Sequence, residues 1–142
     1  MTTRVASCQC GQLRATCTGE PTRVVVCSCS ACQRRSGSPF GESAYFLQAQ
    51  VTITGDARAY ERTSDAGRWF RTHFCPVCGT SLFWHLEAAP EHVGVAVGAF
   101  ADPAFPPPAR AVWTQLQHGW IVLPAGVEAF PAMSPPPPRG NG

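Results

Sequence analysis

The stretch Cys75-Pro76-Val77-Cys78-Gly79 decides how this chain is organised. A thiolate sulfur lies about 2.3 Å from a bound zinc ion, so nearby thiolate ligands must sit on a tight turn, and a following glycine relieves crowding there. This stretch supplies half of a four-thiolate site, and Cys8-Gln9-Cys10-Gly11 supplies the other half. Pairing the two stretches would tie the N-terminal part of the chain to its middle, so that metal binding contributes directly to folding.

A third group of cysteines, the middle cluster, reads Cys27-Ser28-Cys29-Ser30-Ala31-Cys32 and places three thiols within six residues. Three thiolates leave one coordination position of a tetrahedral zinc ion for water, substrate or a distant side chain. We therefore interpret the first two stretches as one structural metal site and the middle cluster as a second site where chemistry can occur. Thiolate-rich sites favour zinc among the common divalent ions.

Two other interpretations of the cysteines stay open at this point. All seven clustered cysteines could serve structural sites, with one of the four histidines as the eighth ligand. The second interpretation is that the cysteines form a disulfide framework, although a domain of 142 residues can bury a core without disulfides. The candidate histidine ligands are His73, His85, His92 and His118.

Composition and charge exclude some classes of function. All 11 basic residues are arginines, so Schiff-base catalysis by a lysine is excluded. The formal net charge of +2 becomes about −1 when seven thiolates bind two zinc ions, so we do not expect nucleic acid as a partner. There is no apolar run of the roughly 18 residues that a membrane span needs, and the start, MTTRVASCQCG, lacks the apolar stretch of a signal peptide. We expect a cytoplasmic protein with reduced thiols and no membrane contact.

The strand pattern predicts a mainly β fold: a single zinc-stapled domain of short antiparallel strands at residues 1–125. One short helix is predicted at Ser30–Ser36, starting inside the middle cluster, with Ser30 placed to cap its start and Gly37 to end it.

Cys17 alternates with other apolar residues and is expected to be a buried core thiol. Residues 126–142 are rich in Pro and Gly and predict a disordered tail. The predicted strands, rich in Val, Phe, Tyr and Thr, are Leu13–Thr18, Arg23–Val26, Ser43–Gln48, Val51–Thr54, Arg58–Glu61, Trp69–Phe74, Ser81–Leu86 and His92–Val97.

Three segments in this order, 7–11, 27–37 and 74–80, resemble the glutathione-dependent formaldehyde-activating enzyme family, also called the centromere protein V domain. The resemblance runs from about Ser7 to Leu123 and includes Trp113 and Trp120. It implies a mostly β fold with two zinc ions, one structural and one catalytic. By this resemblance the structural ion would be held by Cys8, Cys10, Cys75 and Cys78, and the catalytic one by Cys27, Cys29 and Cys32.

The resemblance also implies an activity: joining glutathione and formaldehyde to S-hydroxymethylglutathione, or the reverse cleavage. We therefore interpret the chain as a zinc-dependent carbon–sulfur lyase acting on glutathione–aldehyde or related thiol adducts. Because glutathione is anionic, Arg34 and Arg35 are candidate substrate contacts, and we place Trp84 and Trp120 near the cleft.

The alternative is a non-catalytic zinc-binding module that recognises a protein or nucleic acid. The chain differs from the common family pattern at Ser28 and Ala111, where many members carry histidine. Neither position is one of the seven clustered thiols, so the two differences leave the predicted metal ligands in place.

Overall fold

The computed structural model of the protein describes residues 1–64 and 67–133, and β-strands make up most of its regular structure. The described residues contain eleven strands and one α-helix, α1 at Ser30–Ser36, which begins inside the middle cluster. The predicted mainly β fold class is therefore confirmed. In the described residues, no helix has the length and apolar character to cross a membrane. The strands are β1 Thr3–Ser7, β2 Arg14–Thr18, β3 Arg23–Cys27, β4 Gly41–Leu47, β5 Val51–Thr54, β6 Arg58–Thr63, β7 Trp69–Phe74, β8 Ser81–Leu86, β9 His92–Ala96, β10 Arg110–Val112 and β11 Glu128–Ala129.

The strands form two sheets that enclose the core between them. The smaller sheet has the order β1-β2-β5, and the larger has the order β11-β10-β3-β4-β9-β8-β7-β6. Leu13 and Cys17 from the small-sheet side pack in one apolar cluster with Phe46 and Val95 of the large sheet. Cys17 is fully buried, as predicted for a core thiol, and burial raises its pKa to about 11.

Two strand pairings depart from the expected antiparallel pattern, because β10 runs parallel to β3 and β11 runs parallel to β10. Strand β9 also runs parallel to β3, since both are antiparallel to β4. Strands β9 and β10 are thus parallel to each other, and a crossover between parallel strands needs a dozen or more residues. The segment 97–109, which begins with a 3₁₀ helix at Val97–Phe100, supplies them. The large sheet is therefore mixed at this end.

The C-terminal part of the described chain adds structure past residue 125, where the composition placed the domain boundary. Strand β11 continues the large sheet there, and the Phe130 N–H donates to the Ala111 carbonyl at 2.8 Å. Residues 134–142, most of the predicted tail, lie outside the described residues.

The middle cluster spans the end of β3, the turn after it and the start of α1. Cys29 is the N-cap of the helix: its backbone is extended (φ −62°, ψ 152°), and its sulfur accepts from the Cys32 N–H at 3.3 Å. The prediction that Ser30 caps the helix is wrong, because Ser30 already lies in the first turn and the cap is the residue before it. Gly37 ends the helix as predicted, with a left-handed φ of 68° and an N–H donated to Gln33.

Candidate metal centres and the adjoining sheet face

Four sulfur atoms meet where the loop after β1 contacts the turn between β7 and β8. The sulfurs of Cys8, Cys10, Cys75 and Cys78, the four-cysteine site, all lie within 4.8 Å of one another. The Cys10 sulfur is 3.6 Å from that of Cys8 and 3.7 Å from that of Cys75. Four sulfurs placed tetrahedrally about 2.3 Å from one ion would be about 3.8 Å apart. The donor set therefore fits a four-thiolate metal ion.

Hydrogen-bond donors face these sulfurs. The Leu13 N–H donates to the Cys8 sulfur at 3.3 Å, and the Thr80 hydroxyl lies 3.3 Å from the Cys78 sulfur. The Thr80 side chain lowers the pKa of Cys78 to about 5, with backbone hydrogen bonds acting in the same direction. Donors of this kind favour the thiolate, which is the form of cysteine that binds metal.

Gln12 connects the four-cysteine site to the small sheet. Its Nε2 donates to the Cys75 sulfur at 2.9 Å and to the Asp56 carbonyl at 2.8 Å, while the Asp56 N–H donates to its Oε1 at 2.9 Å. Gly55 has a φ of 95°, and a Cβ there would overlap the Gln12 carbonyl, so this close approach requires glycine. Sequence reasoning missed Gln12 because its partners are 44 and 63 residues away.

We expect Gln12→Ala to weaken metal binding at the four-cysteine site by about 10- to 100-fold, since groups that hydrogen-bond to metal ligands typically contribute that much. Competition with a chromogenic chelator measures the affinity. Gln9→Ala is the matched control, because the Gln9 side chain makes no hydrogen bond with the described residues. Equal metal affinities in the two variants would contradict a role for Gln12.

The sulfurs of Cys27, Cys29 and Cys32, the three-cysteine site, also lie within 4.8 Å of one another. Hydrogen bonds with Cys27 and Cys32 lower the pKa of Cys29, and the positive charge of Arg62 acts in the same direction. Within residues 1–64 and 67–133, no histidine or carboxylate joins either cysteine group. All eight cysteines are free thiols, so the structure favours metal sites over a disulfide framework.

The three-cysteine site lies at one end of the large-sheet face that points away from the core. Cys27 pairs with Gly41, and Tyr45 follows on the same face of β4. Tyr45 and Trp84 both pair with Gly94, which places their side chains on this face as well. A Cβ on Gly94 would overlap the indole nitrogen of Trp84, so glycine allows the fully buried ring to lie against β9.

Arg35 joins this face from helix α1. Its Cζ lies 4.1 Å from the ring centroid of Trp84. A Cβ on Gly41 would be 2.7 Å from the Arg35 Nη2 and 3.3 Å from the Cys32 Cβ, so the guanidinium lies close to the three-cysteine site. Arg34 is exposed. The structure therefore separates the two neighbouring arginines and brings only Arg35 to Trp84.

Trp120, the other tryptophan predicted near the cleft, is 70% exposed. It stacks on no aromatic ring of the described residues. The segment before it contacts α1, because the Gln33 Nε2 donates to the Leu116 carbonyl at 3.3 Å and the Gln33 Oε1 lies 3.0 Å from the His118 Nε2. The segment thus approaches the middle cluster while the Trp120 ring faces solvent.

A cleft of about 730 Å³ opens beside the start of β4, a volume that suits a small molecule. Arg35, Phe40, Glu42 and Thr80 contribute to its walls, so it extends from α1 to the turn of the four-cysteine site. Burial raises the pKa of the Glu42 carboxyl. Glu42 belongs to no motif, and the sequence did not single it out.

Comparison with known proteins agrees with this arrangement. The family model described as glutathione-dependent formaldehyde-activating enzyme matches residues 3–116. A crystal structure of a Rhodobacter sphaeroides protein has a similar fold, with a TM-score of 0.53 and 21% identity over 67% of this chain and 85% of that chain. No curated protein sequence matches this chain. Because the family match covers most of the chain and both cysteine groups, the chain belongs to the glutathione-dependent formaldehyde-activating enzyme family.

Proposed function

We propose that the protein is a zinc-dependent carbon–sulfur lyase that acts on adducts of glutathione, or of a related thiol, with an aldehyde such as formaldehyde. The observation that carries this proposal is the convergence of three thiols at the β3–α1 turn, next to an arginine held on a tryptophan ring. Three sulfurs suit an ion that keeps a position for a further ligand. Membership of the family supports the class of reaction.

Cys27, Cys29 and Cys32 would hold the zinc ion of the reaction centre, and the four-cysteine site would hold a structural one. When bound at the three sulfurs, zinc supplies a stabilised thiolate rather than strong carbonyl activation, because three thiolates already give the site a charge of about −1. A reducing, cytoplasmic location would keep these cysteines available as ligands.

In the cleavage direction the carbon–sulfur bond of the adduct breaks, and its electron pair stays on sulfur. The adduct hydroxyl gives its proton to solvent water, and its oxygen forms the carbonyl of the aldehyde, so the products are a thiolate, an aldehyde and a solvated proton. Arg35 is positioned to orient the thiol, because its guanidinium lies beside Cys32 and can donate to a carboxylate. Of the two arginines, Arg35 lies on Trp84 and lines the cleft, so we assign the substrate contact to Arg35. The Trp84 ring is fully buried, and its role is to hold the Arg35 guanidinium in place.

Ser28 and Ala111, where many family members carry histidine, are each 1% exposed. The Ser28 N–H donates to the Val112 carbonyl at 3.1 Å, which joins the middle cluster to β10. Neither side chain belongs to a metal-ligand group. The proposed reaction therefore depends on the seven thiols and the residues beside them.

The proposal is tested with the metal-loaded protein and carbon-13-labelled formaldehyde. We expect the protein to accelerate the exchange between S-hydroxymethylglutathione and its two components above the rate in buffer, as followed by exchange NMR. Exchange at the uncatalysed rate with both metal sites filled would exclude the proposed activity on this adduct.

A further inference from the structure

Arg62 has an unusual position for a charged residue on an edge strand. It is half-buried, whereas the other five residues of β6 are exposed. Its Cζ lies 4.7 Å from the ring centroid of Phe70, its cross-strand partner on β7. Charged side chains on edge strands ordinarily extend into solvent. Here the aromatic ring holds the guanidinium over the sheet face.

Phe70 continues this arrangement toward the three-cysteine site. Its ring stacks on that of Trp84, with centroids 6.3 Å apart and an interplanar angle of 28°. Trp84 in turn carries the guanidinium of Arg35 at 4.1 Å. The four side chains form one row of guanidinium, ring, ring and guanidinium. An apolar wall therefore has a cation at each end.

Both cations lie on the sheet face that carries the three-cysteine site. Arg35 lies beside Cys32, because a Cβ on Gly41 would be 2.7 Å from its Nη2 and 3.3 Å from the Cys32 Cβ. Arg62 joins this face at its partner Phe70, whose ring stacks on Trp84. The contacts of the row, at 4.7, 6.3 and 4.1 Å, therefore connect the edge strand β6 to the arginine beside the three cysteines.

Among the described residues, neither Arg35 nor Arg62 has a carboxylate within ion-pair distance; the ion pairs there belong to Arg4, Arg71 and His92. A guanidinium stacked on a ring keeps its N–H edges available, and those edges match a carboxylate in bidentate geometry. Two such cations on one face suit a ligand that carries two carboxylates.

We propose that Arg62 and Arg35 bind two carboxylates of the thiol partner, one at each end of the Phe70–Trp84 wall, and that Arg62 determines the selection of peptide thiols with two free carboxylates over those whose carboxylates are blocked. This inference rests on the proposed function, since it concerns the substrate of the same site. It assigns a role to β6, an edge strand that contributes no metal ligand.

The test compares S-hydroxymethylglutathione with the corresponding adduct of glutathione diethyl ester, in which both carboxylates are neutral. We expect the wild-type protein to prefer the free acid by about 10- to 100-fold in kcat/KM, as charged hydrogen bonds to carboxylates would give. Arg62→Gln should raise KM for the acid by a similar factor, change kcat less, and lose most of the preference.

Arg71→Gln is the matched control, because Arg71 also stacks on a ring, that of Trp69 at 4.7 Å, but pairs with Glu61. It should keep the wild-type KM and preference. A wild-type protein that turns over acid and ester equally well would overturn the inference, as would a folded Arg62→Gln variant with unchanged KM and preference. If Arg62→Gln fails to fold, equal turnover of acid and ester by the wild type would still overturn the inference, and Arg62→Lys, which keeps the charge but not the bidentate geometry, should raise KM for the acid.

A binding measurement separates this inference from the proposed function. NMR titration with S-methylglutathione, which has both carboxylates and no reactive thiol, should show binding that is at least about 10-fold weaker in Arg62→Gln. If the wild type binds this probe through Arg62 but turns over neither adduct, the proposed lyase activity fails and the carboxylate site stands. If the wild type turns over the adducts while the probe binds both proteins equally, the carboxylate site fails and the activity stands.

Discussion

Replacing Cys29 with alanine should reduce turnover of S-hydroxymethylglutathione to the uncatalysed rate, while the β fold and one of the two metal ions remain. The Cys29 sulfur belongs to the three-cysteine site, and two remaining sulfurs are too few to hold a zinc ion firmly. The four-cysteine site shares no residue with it. Cys29 also caps α1, and loss of an N-cap costs about 1 kcal/mol, which a domain with 5–15 kcal/mol of stability survives.

The measurement combines metal analysis, circular dichroism and the exchange assay. Metal content should fall by half, with an unchanged far-ultraviolet spectrum. Cys17→Ala provides the control, because it makes the same substitution at a fully buried cysteine outside both metal sites. It should lower stability by about 0.5–3 kcal/mol and keep both metal ions and the wild-type rate. Full activity in a folded Cys29→Ala protein would refute the assignment of the three-cysteine site as the reaction centre.

Local signals explain which parts of the fold could be predicted. Strands β5, β7 and β8 and helix α1 were predicted with the bounds that the structure shows, because alternation and flanking turn residues specify each one within a few positions. The grouping of cysteines was also predictable. A metal ion requires its ligands to converge whatever their separation along the chain, so Cys8 and Cys75 could be joined without knowledge of the strands between them.

The surroundings of both sites depend on tertiary structure and could not be predicted in the same way. Arg34 and Arg35 are neighbours in sequence, but successive residues of a helix point in different directions, and only Arg35 contacts Trp84. Arg62 is connected to Trp84 only through the ring of Phe70 on the neighbouring strand. Gln12 donates to Asp56 and Cys75, which are 44 and 63 residues away. Contacts between strands and between sheets leave no mark at a single position of the sequence.

The largest effect on stability is expected from Cys75→Ala in the four-cysteine site. Cys75 is fully buried, accepts from Gln12, and lies in a turn closed by backbone hydrogen bonds of 2.9 Å from Cys75 to Thr80 and from Gly79 to Cys75. Binding of a structural zinc ion contributes about 10–16 kcal/mol in zinc-finger peptides. This is comparable with the whole stability of a domain, about 5–15 kcal/mol. Loss of the ion should therefore unfold the protein or lower its thermal midpoint by tens of degrees.

Cys32→Ala is the matched control for Cys75→Ala, because it also removes one buried cysteine from one metal site. Calorimetry with metal analysis should show that Cys32→Ala loses one ion and stays folded, whereas Cys75→Ala loses its cooperative transition. If Cys75→Ala instead loses one ion and melts at the wild-type temperature, the four-cysteine site does not stabilise the fold.

The different effects expected for the two sites follow from topology. The four-cysteine site joins residues 8–10 to residues 75–78 across the two sheets, while the three-cysteine site closes a single turn of six residues. Only the first of these closes a long loop of the unfolded chain, so only its loss should release the two sheets from each other.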